Sequence, residues 1–158
     1  MKNYTYGLAL ALFFAIASSV GAFQLGDLEG SWKGARTETV NGAGSYSSAK
    51  MVCKMRADGG LAITETGTSK WVGGSYVCKH AFKDGGKYSS VFTYHGLILS
   101  TSSGKWSKSG SSISISGTQR SGGSGSTPFS GTLTLMSKDK VIYKGKSGAI
   151  TVRISASR

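Results

Sequence analysis

Apolar side chains alternate with small or polar ones along most of the chain after residue 22. Ile113 and Ile115 flank a serine, and Leu133 and Leu135 flank a threonine. A period of two places every second side chain on the same face of a β-strand, whereas an amphipathic helix needs a period of 3.6. No segment after Ala22 shows the helical period over a convincing length, so the sequence predicts an all-β fold.

Turn-forming residues divide this alternating pattern into short strands. The single proline, Pro128, follows the Gly- and Ser-rich stretch 121–127 and is expected to mark the start of a strand. Tight hairpin turns are predicted at Asn41-Gly42, Asp58-Gly59-Gly60, Asp84-Gly85-Gly86, Ser109-Gly110 and 137–140. Strands are predicted at 29–40, 47–56, 61–66, 71–83, 88–95, 97–101, 105–107, 112–119, 129–136, 141–144 and 149–155, and several of them could merge.

The arrangement of these strands follows from their short connections. Short loops join neighbouring strands as antiparallel hairpins. Each strand has one apolar face, and a meander of such strands must cover that face and protect its edges. An antiparallel up-and-down β-barrel of about 8–10 strands achieves both by closing on itself. A two-sheet sandwich remains a second possibility.

Glycine and serine make up about a third of residues 23–158, with 22 Gly and 25 Ser among 136 residues. Such a content is typical of disordered linkers, but disordered chains lack regularly spaced β-branched and aromatic residues. We therefore assign Gly and Ser to turns and to solvent-facing strand positions. The length suits one domain with its own core, and a single barrel domain is predicted over residues 23–158.

Residues 1–22 have the pattern of a secretory signal peptide. Lys2 supplies a positive start, residues 7–16 form an apolar run, and Val20-Gly21-Ala22 resembles a small-residue cleavage site. The apolar run is too short to span a bilayer. We expect the mature protein to begin at Phe23, to be secreted or periplasmic, and to lack a transmembrane anchor.

The chain is basic, with 19 Lys and Arg against 7 Asp and Glu. Residues 101–158 carry nine of the basic residues and one acidic residue, Asp139. Outside the cytoplasm such a charge attracts lipopolysaccharide, anionic lipid, acidic polysaccharide or nucleic acid. Because no compact Lys/Arg run is present, solvated lysines spread around the rim are the favoured interpretation, and no specific nucleic-acid partner is predicted.

Cys53 and Cys78 are the two cysteines of the chain. In an exported protein two cysteines usually form one disulfide, and a loop of this length would stabilise the fold by roughly 3 kcal/mol. His80 lies two residues after Cys78, but no pair of histidines or cluster of carboxylates lies near the thiols at ligand spacing. A Cys53–Cys78 disulfide is therefore predicted, with neither a metal site nor a cofactor.

Catalytic motifs are missing from the sequence. No G-x-S-x-G elbow followed by a helix occurs, and Asp58, Asp84 and Asp139 are explained by turn chemistry. An enzyme would need His80 or His95 in a pocket with an acid. The sequence therefore predicts that the protein is not an enzyme.

Gly30-Ser31-Trp32, on the first strand after the signal peptide, resembles the opening G-x-W of lipocalins and other calycin barrels, and avidin-type barrels begin similarly. The resemblance implies a barrel of eight to ten strands in which Trp32 packs across the closed end, often with a small hydrophobic ligand inside. The chain is also similar to bacterial secreted β-barrel proteins with one cysteine in the second strand and another two strands later. That second likeness supports the fold and the disulfide.

Four residues are candidates for contact with a ligand: Trp32, Arg36, Tyr76 and His80. For Trp32 a core position is favoured over ligand contact. Arg36 and Glu38 share the face of Trp32 and could orient a ligand head group from inside, although solvation of both charges beyond the barrel is favoured. Tyr76 and His80 share one face with Cys78 and Phe82, while Met51, Cys53 and Met55 share another. These two sets could line a cavity, but ordinary packing around a disulfide is the favoured interpretation.

Two functions remain open on this basis. The first is an exported, lipocalin-like binding protein for a small apolar or amphipathic ligand, which could be anionic. The alternative is a non-catalytic surface-binding module whose basic C-terminal strands engage an anionic glycan or lipid around a solid core. A cavity of roughly 300 Å³ or more would separate the two.

Overall fold

The computed structural model describes residues 23–69, 73–123 and 125–158. The predicted signal peptide and Trp71, at the start of one predicted strand, lie outside these residues. No helix in the described part of the chain is long and apolar enough to cross a membrane. The strands are, in chain order, β1 Gly30–Val40, β2 Ala43–Met55, β3 Leu61–Ser69, β4 Gly74–Lys83, β5 Lys87–Tyr94, β6 Leu97–Ser109, β7 Ser112–Ser121, β8 Ser126–Ser137, β9 Lys140–Ser147 and β10 Ile150–Ser157.

The ten strands form one closed barrel in which each strand pairs antiparallel with its neighbours in sequence. β1 closes the circle by pairing with β10, and Arg36 lies opposite Ile154 in that register. Closure supplies both edges of every strand with hydrogen-bonding partners, which a sandwich would not do. The predicted up-and-down barrel is confirmed.

The structure has one strand fewer than the predicted segments, because two of these segments belong to a single continuous strand. Residues 97–101 and 105–107 both belong to β6, which continues through Gly104. Gly104 lies opposite Gly117 of β7, and a Cβ atom on Gly104 would lie 2.0 Å from the backbone oxygen of Ser116. The two strands can approach this closely only where side chains are missing, so Gly104 permits close packing and is not a turn.

The barrel has two different ends. The closed end carries a 3-10 helix, Leu25–Leu28, a second 3-10 turn, Asp84–Gly86, and the turns after β2, β6 and β8. The open end carries the turns after the odd-numbered strands. Trp32 is completely buried beside the closed end, where its indole Nε1 donates to the backbone oxygen of Leu28 over 2.8 Å. The Arg158 guanidinium lies 4.4 Å from the Trp32 ring centroid. The position of Trp32 implied by the calycin resemblance is therefore confirmed.

The closed half of the barrel is a solid hydrophobic core. Inward positions there hold large apolar side chains that are fully or almost fully buried: Leu61, Ile63, Phe82, Ile113, Leu133, Val141 and Ile154. The void that remains among them is about 20 Å³, about the room of a single water molecule.

The predicted disulfide is wrong. Cys53 on β2 and Cys78 on β4 are both buried free thiols, and β3 runs between their strands. Two strand spacings amount to roughly 9.5 Å, beyond the roughly 7 Å that a disulfide can bridge between Cα atoms. The prediction failed because the alternation of inward and outward side chains places both cysteines inside the barrel but does not make their strands neighbours.

Candidate ligand-binding cavity

A cavity of about 390 Å³ occupies the open half of the barrel. Its apolar wall is formed by Tyr88, Phe92, Leu99, Phe129, Ile150 and Val152. Much of the remaining lining is serine: Ser69, Ser90, Ser100, Ser102, Ser121, Ser130 and Ser147.

The sequence of each strand explains why the space lies in this half. Along β7, the inward residues change from Ile113 and Ile115 near the closed end to Gly117 and Gln119 towards the open end. Along β3, Leu61 and Ile63 are followed by Glu65 and Ser69. Large apolar side chains fill the closed half, and smaller or polar ones leave the open half unfilled.

One part of the cavity is lined by a charged cluster, which consists of Arg36, Glu38, Glu65 and His80 together with Tyr76, which supports Glu65 from outside the lining. Arg36 Nη1 donates to Glu65 Oε1 over 2.7 Å, and the Tyr76 hydroxyl donates to the same oxygen. Arg36 Nη2 lies 3.7 Å from Glu38 Oε1. Since β2 separates β1 from β3, the pair of Arg36 and Glu65 crosses the barrel interior over two strand spacings.

His80 connects this cluster to the aromatic wall. Its Nε2 lies 3.7 Å from Glu65 Oε2, and its Nδ1 lies 2.8 Å from the Tyr88 hydroxyl oxygen. A protonated imidazole can donate from both nitrogens, one towards the carboxylate and one to the phenol.

The protonation states follow from these contacts. Burial opposes ionisation of Glu65, but His80 and Arg36 outweigh it and lower the pKa of Glu65 from 4.5 to about 2. Burial also disfavours the imidazolium, yet Cys78, Tyr88 and Glu65 together raise the pKa of His80 well above 6.5. Arg36, Glu65 and His80 are therefore charged together near neutral pH.

One donor of the cluster is unused. Arg36 is 8% exposed, and its Nε is a buried side-chain nitrogen without a hydrogen-bond partner. The guanidinium lies 5.0 Å from the Tyr76 ring centroid, and Tyr76 stacks on Phe92 at a centroid distance of 5.3 Å. A buried unpaired donor costs free energy, and because protein atoms enclose Arg36 Nε, an acceptor in the cavity reaches it only after a shift of the side chain.

The structure brings three of the four predicted ligand residues together. Arg36 and His80 line the cavity, and Tyr76 holds Glu65 beside them. Trp32 lies in the closed half and does not line the cavity. The interpretation that Arg36 and Glu38 are solvated beyond the barrel is wrong, because both face inward and Arg36 is buried.

The sequence-based reasoning missed Glu65, which contacts three members of the cluster. The sequence did contain a signal for Glu65, because it is the next inward-facing position of β3 after Leu61 and Ile63. Of the two predicted cavity walls, Cys78 and His80 line the cavity, whereas Met51 belongs to the core and Met55 is exposed.

No protein-family model matches the sequence, and comparison with curated proteins finds no match. Comparison of structures does find similar barrels. Rv2717c from M. tuberculosis has a TM-score of 0.60 and 14% identity, over 85% of this chain and 94% of Rv2717c. The S-type phycobiliprotein lyase CPES from Guillardia theta has a TM-score of 0.54 and 11% identity, over 85% of this chain and 89% of CPES. Both are lipocalin/calycin-like β-barrels, so the likeness establishes the fold.

The prediction that the protein is not an enzyme is contradicted by this comparison. CPES, a barrel of the same fold, is named as a lyase, so the barrel gives no ground for excluding catalysis. The sequence argument also required that no histidine share a pocket with an acid. His95 lies exposed in the turn after β5, but His80 lies beside Glu65 in the cavity.

Proposed function

We propose that the open half of the barrel binds a small amphipathic molecule with an anionic or hydrogen-bond-accepting group. The observation that carries this proposal is the cavity of about 390 Å³ above a solid core. Its volume falls within the roughly 300–1,000 Å³ of small-molecule sites, which also combine apolar walls with a few convergent polar groups.

The charged cluster supports the choice of polar group. The cations Arg36 and His80 are paired with Glu38 and Glu65, and all four line the cavity. Lys146 also lines the cavity and leaves its lining with an excess of positive charge. An entering carboxylate would be attracted by this excess positive charge and would accept hydrogen bonds from the serine hydroxyls of the lining, whereas an entering ammonium group would be repelled. The apolar part of the ligand would lie against Phe92, Leu99 and Phe129.

The proposal includes export of the protein. Its support is the charge, apolar run and small-residue junction of residues 1–22. The intact mass of the protein from an extracytoplasmic fraction should correspond to a chain that begins at Phe23. A mass that retains residues 1–22 would remove this part of the proposal and leave the cavity unaffected.

A pair of substitutions on β6 tests the cavity. Ser102 lines the cavity, whereas its neighbour Ser103 points outward and is exposed. In isothermal calorimetry with dodecanoate as the probe, Ser102→Phe should weaken binding at least about tenfold, because the ring occupies the space of the alkyl chain. Ser103→Phe should bind like the unmodified protein. Equal effects of the two substitutions, or no saturable binding by the unmodified protein, would overturn the proposal.

A further inference from the structure

We propose that the open end of the barrel docks on the surface of a lipid bilayer that contains anionic lipid. The first observation is a pair of exposed aliphatic side chains at this end. Leu97 and Ile98 begin β6 and are 68% and 63% exposed. Side chains of consecutive strand residues point to opposite sides, so the pair forms an apolar projection with one aliphatic side chain on each side of the strand, which water solvates poorly.

The backbone holds this pair at the mouth of the cavity. The preceding turn is tight, with positive φ angles of 46° at His95 and 78° at Gly96. Leu99 lines the cavity, and its backbone oxygen accepts a hydrogen bond from the Gly122 amide over 3.1 Å. The projection is therefore anchored to the rim by a cross-strand contact.

Charge distribution supplies the second observation. Two of the seven acidic residues, Glu38 and Glu65, lie inside the barrel, and the other five lie at the closed end: Asp27, Glu29, Asp58, Asp84 and Asp139. Among the residues that the structure describes, the outer surface of the open half therefore has no acidic side chain. It does carry exposed basic residues on β7, β9 and β10: Arg120, Lys144 and Arg153.

The combination selects one partner. An apolar projection in the same half of the barrel as exposed cations matches an anionic membrane surface, where the aliphatic side chains enter the headgroup boundary and the cations contact lipid phosphates. A soluble polyanion would use the cations and leave Leu97 and Ile98 in water. A second copy docked mouth to mouth would bring two surfaces of the same charge together.

Docking in this orientation points the mouth of the cavity at the membrane. An amphipathic ligand could then pass between the bilayer and the cavity without crossing open water. The docking surface itself is independent of ligand binding, because Leu97, Ile98, Arg120 and Lys144 do not line the cavity.

Co-sedimentation with vesicles tests the surface. Vesicles that contain phosphatidylglycerol should bind the protein, and vesicles of phosphatidylcholine alone should bind it at least about tenfold more weakly. The double variant Leu97→Ser, Ile98→Ser should lose about tenfold or more in binding to the anionic vesicles. Arg120→Glu with Lys144→Glu should also weaken binding, and salt should weaken the binding of the unmodified protein.

The closed end offers matched controls. Met55→Ser with Met136→Ser removes two exposed apolar side chains there, and Lys138→Glu with Lys140→Glu reverses two exposed charges. Both control variants should bind anionic vesicles like the unmodified protein, and circular dichroism should show all variants folded. Equally large losses of vesicle binding in the control variants, or no binding of the unmodified protein to anionic vesicles, would overturn the proposal.

Self-association that depends on Leu97 and Ile98 would assign the surface to a second copy instead. Dodecanoate binding measured without vesicles should be unchanged in the Leu97→Ser, Ile98→Ser variant, which separates this proposal from that for the cavity.

Discussion

The Arg36 guanidinium donates over 2.7 Å to the Glu65 carboxylate inside the barrel, at the boundary between solid core and cavity. The two side chains are almost fully shielded from solvent. Charges in such a position must compensate each other, since desolvation of either alone is costly. This pair therefore lets the barrel carry charges of both signs on the wall of its cavity.

Removing one partner should destabilise the fold strongly. Glu65→Gln leaves Arg36 and His80 without their buried counter-charge, and should lower the free energy of unfolding by roughly 3–5 kcal/mol in urea titrations. The triple variant Arg36→Met, Glu65→Leu, His80→Gln should recover at least half of that loss, because it removes all three buried charges that meet at Glu65. Glu38→Gln is the control, since Glu38 is more exposed and more distant from Arg36, and should cost less than about 1 kcal/mol. A loss below about 1 kcal/mol for Glu65→Gln would show that the pair is solvated.

Stability should be highest between about pH 4.5 and 6.5. The folded-state pKa of Glu65 is lowered from 4.5 to about 2, so its contribution, on the order of 3 kcal/mol, is lost as pH falls between those values. The folded-state pKa of His80 is raised well above 6.5, so its contribution is complete below pH 6.5 and is lost as pH rises through the folded value.

Urea midpoints measured from pH 2 to 9 would test both limbs. His80→Gln should remove the decline above pH 6.5, because the glutamine does not titrate. A profile for the unmodified protein that stays flat from pH 6 to 9 would contradict a protonated His80 beside Glu65.

Trp32 should contribute a large part of the stability of the closed end. Trp32→Ala removes a completely buried indole and should cost roughly 3–5 kcal/mol in denaturant unfolding. Trp32→Phe keeps a ring but loses the donor to the Leu28 oxygen, and should cost roughly 1–2 kcal/mol. A cost below about 1 kcal/mol for the alanine variant would contradict the buried position.

The two cysteines should titrate as free thiols. Unfolding without reductant should expose two thiols per chain, because β3 separates the strands that carry Cys53 and Cys78. In the folded protein, Cys78 lines the cavity, whereas burial raises the pKa of Cys53 to about 12. A Cys53→Ser variant, which retains Cys78, should therefore react with a maleimide at least about tenfold faster than Cys78→Ser. If the unreduced, unfolded protein showed no titratable thiol, the account of two free cysteines would be contradicted and the predicted disulfide would stand.

The sequence contained the strand pattern and the closed barrel, because both depend on local periodicity and short turns. The buried position of Trp32 followed from the resemblance of Gly30-Ser31-Trp32 to the opening of calycin barrels. Parity alone also assigned the inward face of Leu61 and Ile63 correctly. It did not identify the partner of Arg36, since Glu65 lies 29 residues away and meets it only through the registers of β1, β2 and β3. Because burying a single charge is costly, the sequence favoured a solvated Arg36 over a buried one. The ion pair with Glu65, which only the three-dimensional structure shows, makes the buried position favourable. Strand order likewise decides which cysteines can meet, and no local pattern encodes it.

The most direct test of the cavity as a site for an amphipathic anion compares two probes of equal chain length. Isothermal calorimetry should give a Kd for dodecanoate at least about tenfold lower than for dodecyltrimethylammonium, because Lys146 adds positive charge to a lining in which Arg36 and His80 are balanced by Glu38 and Glu65. Added salt should narrow the difference by screening the charges near the rim. Equal affinity for the two probes, or saturable binding of neither, would contradict an anion-binding cavity in this barrel.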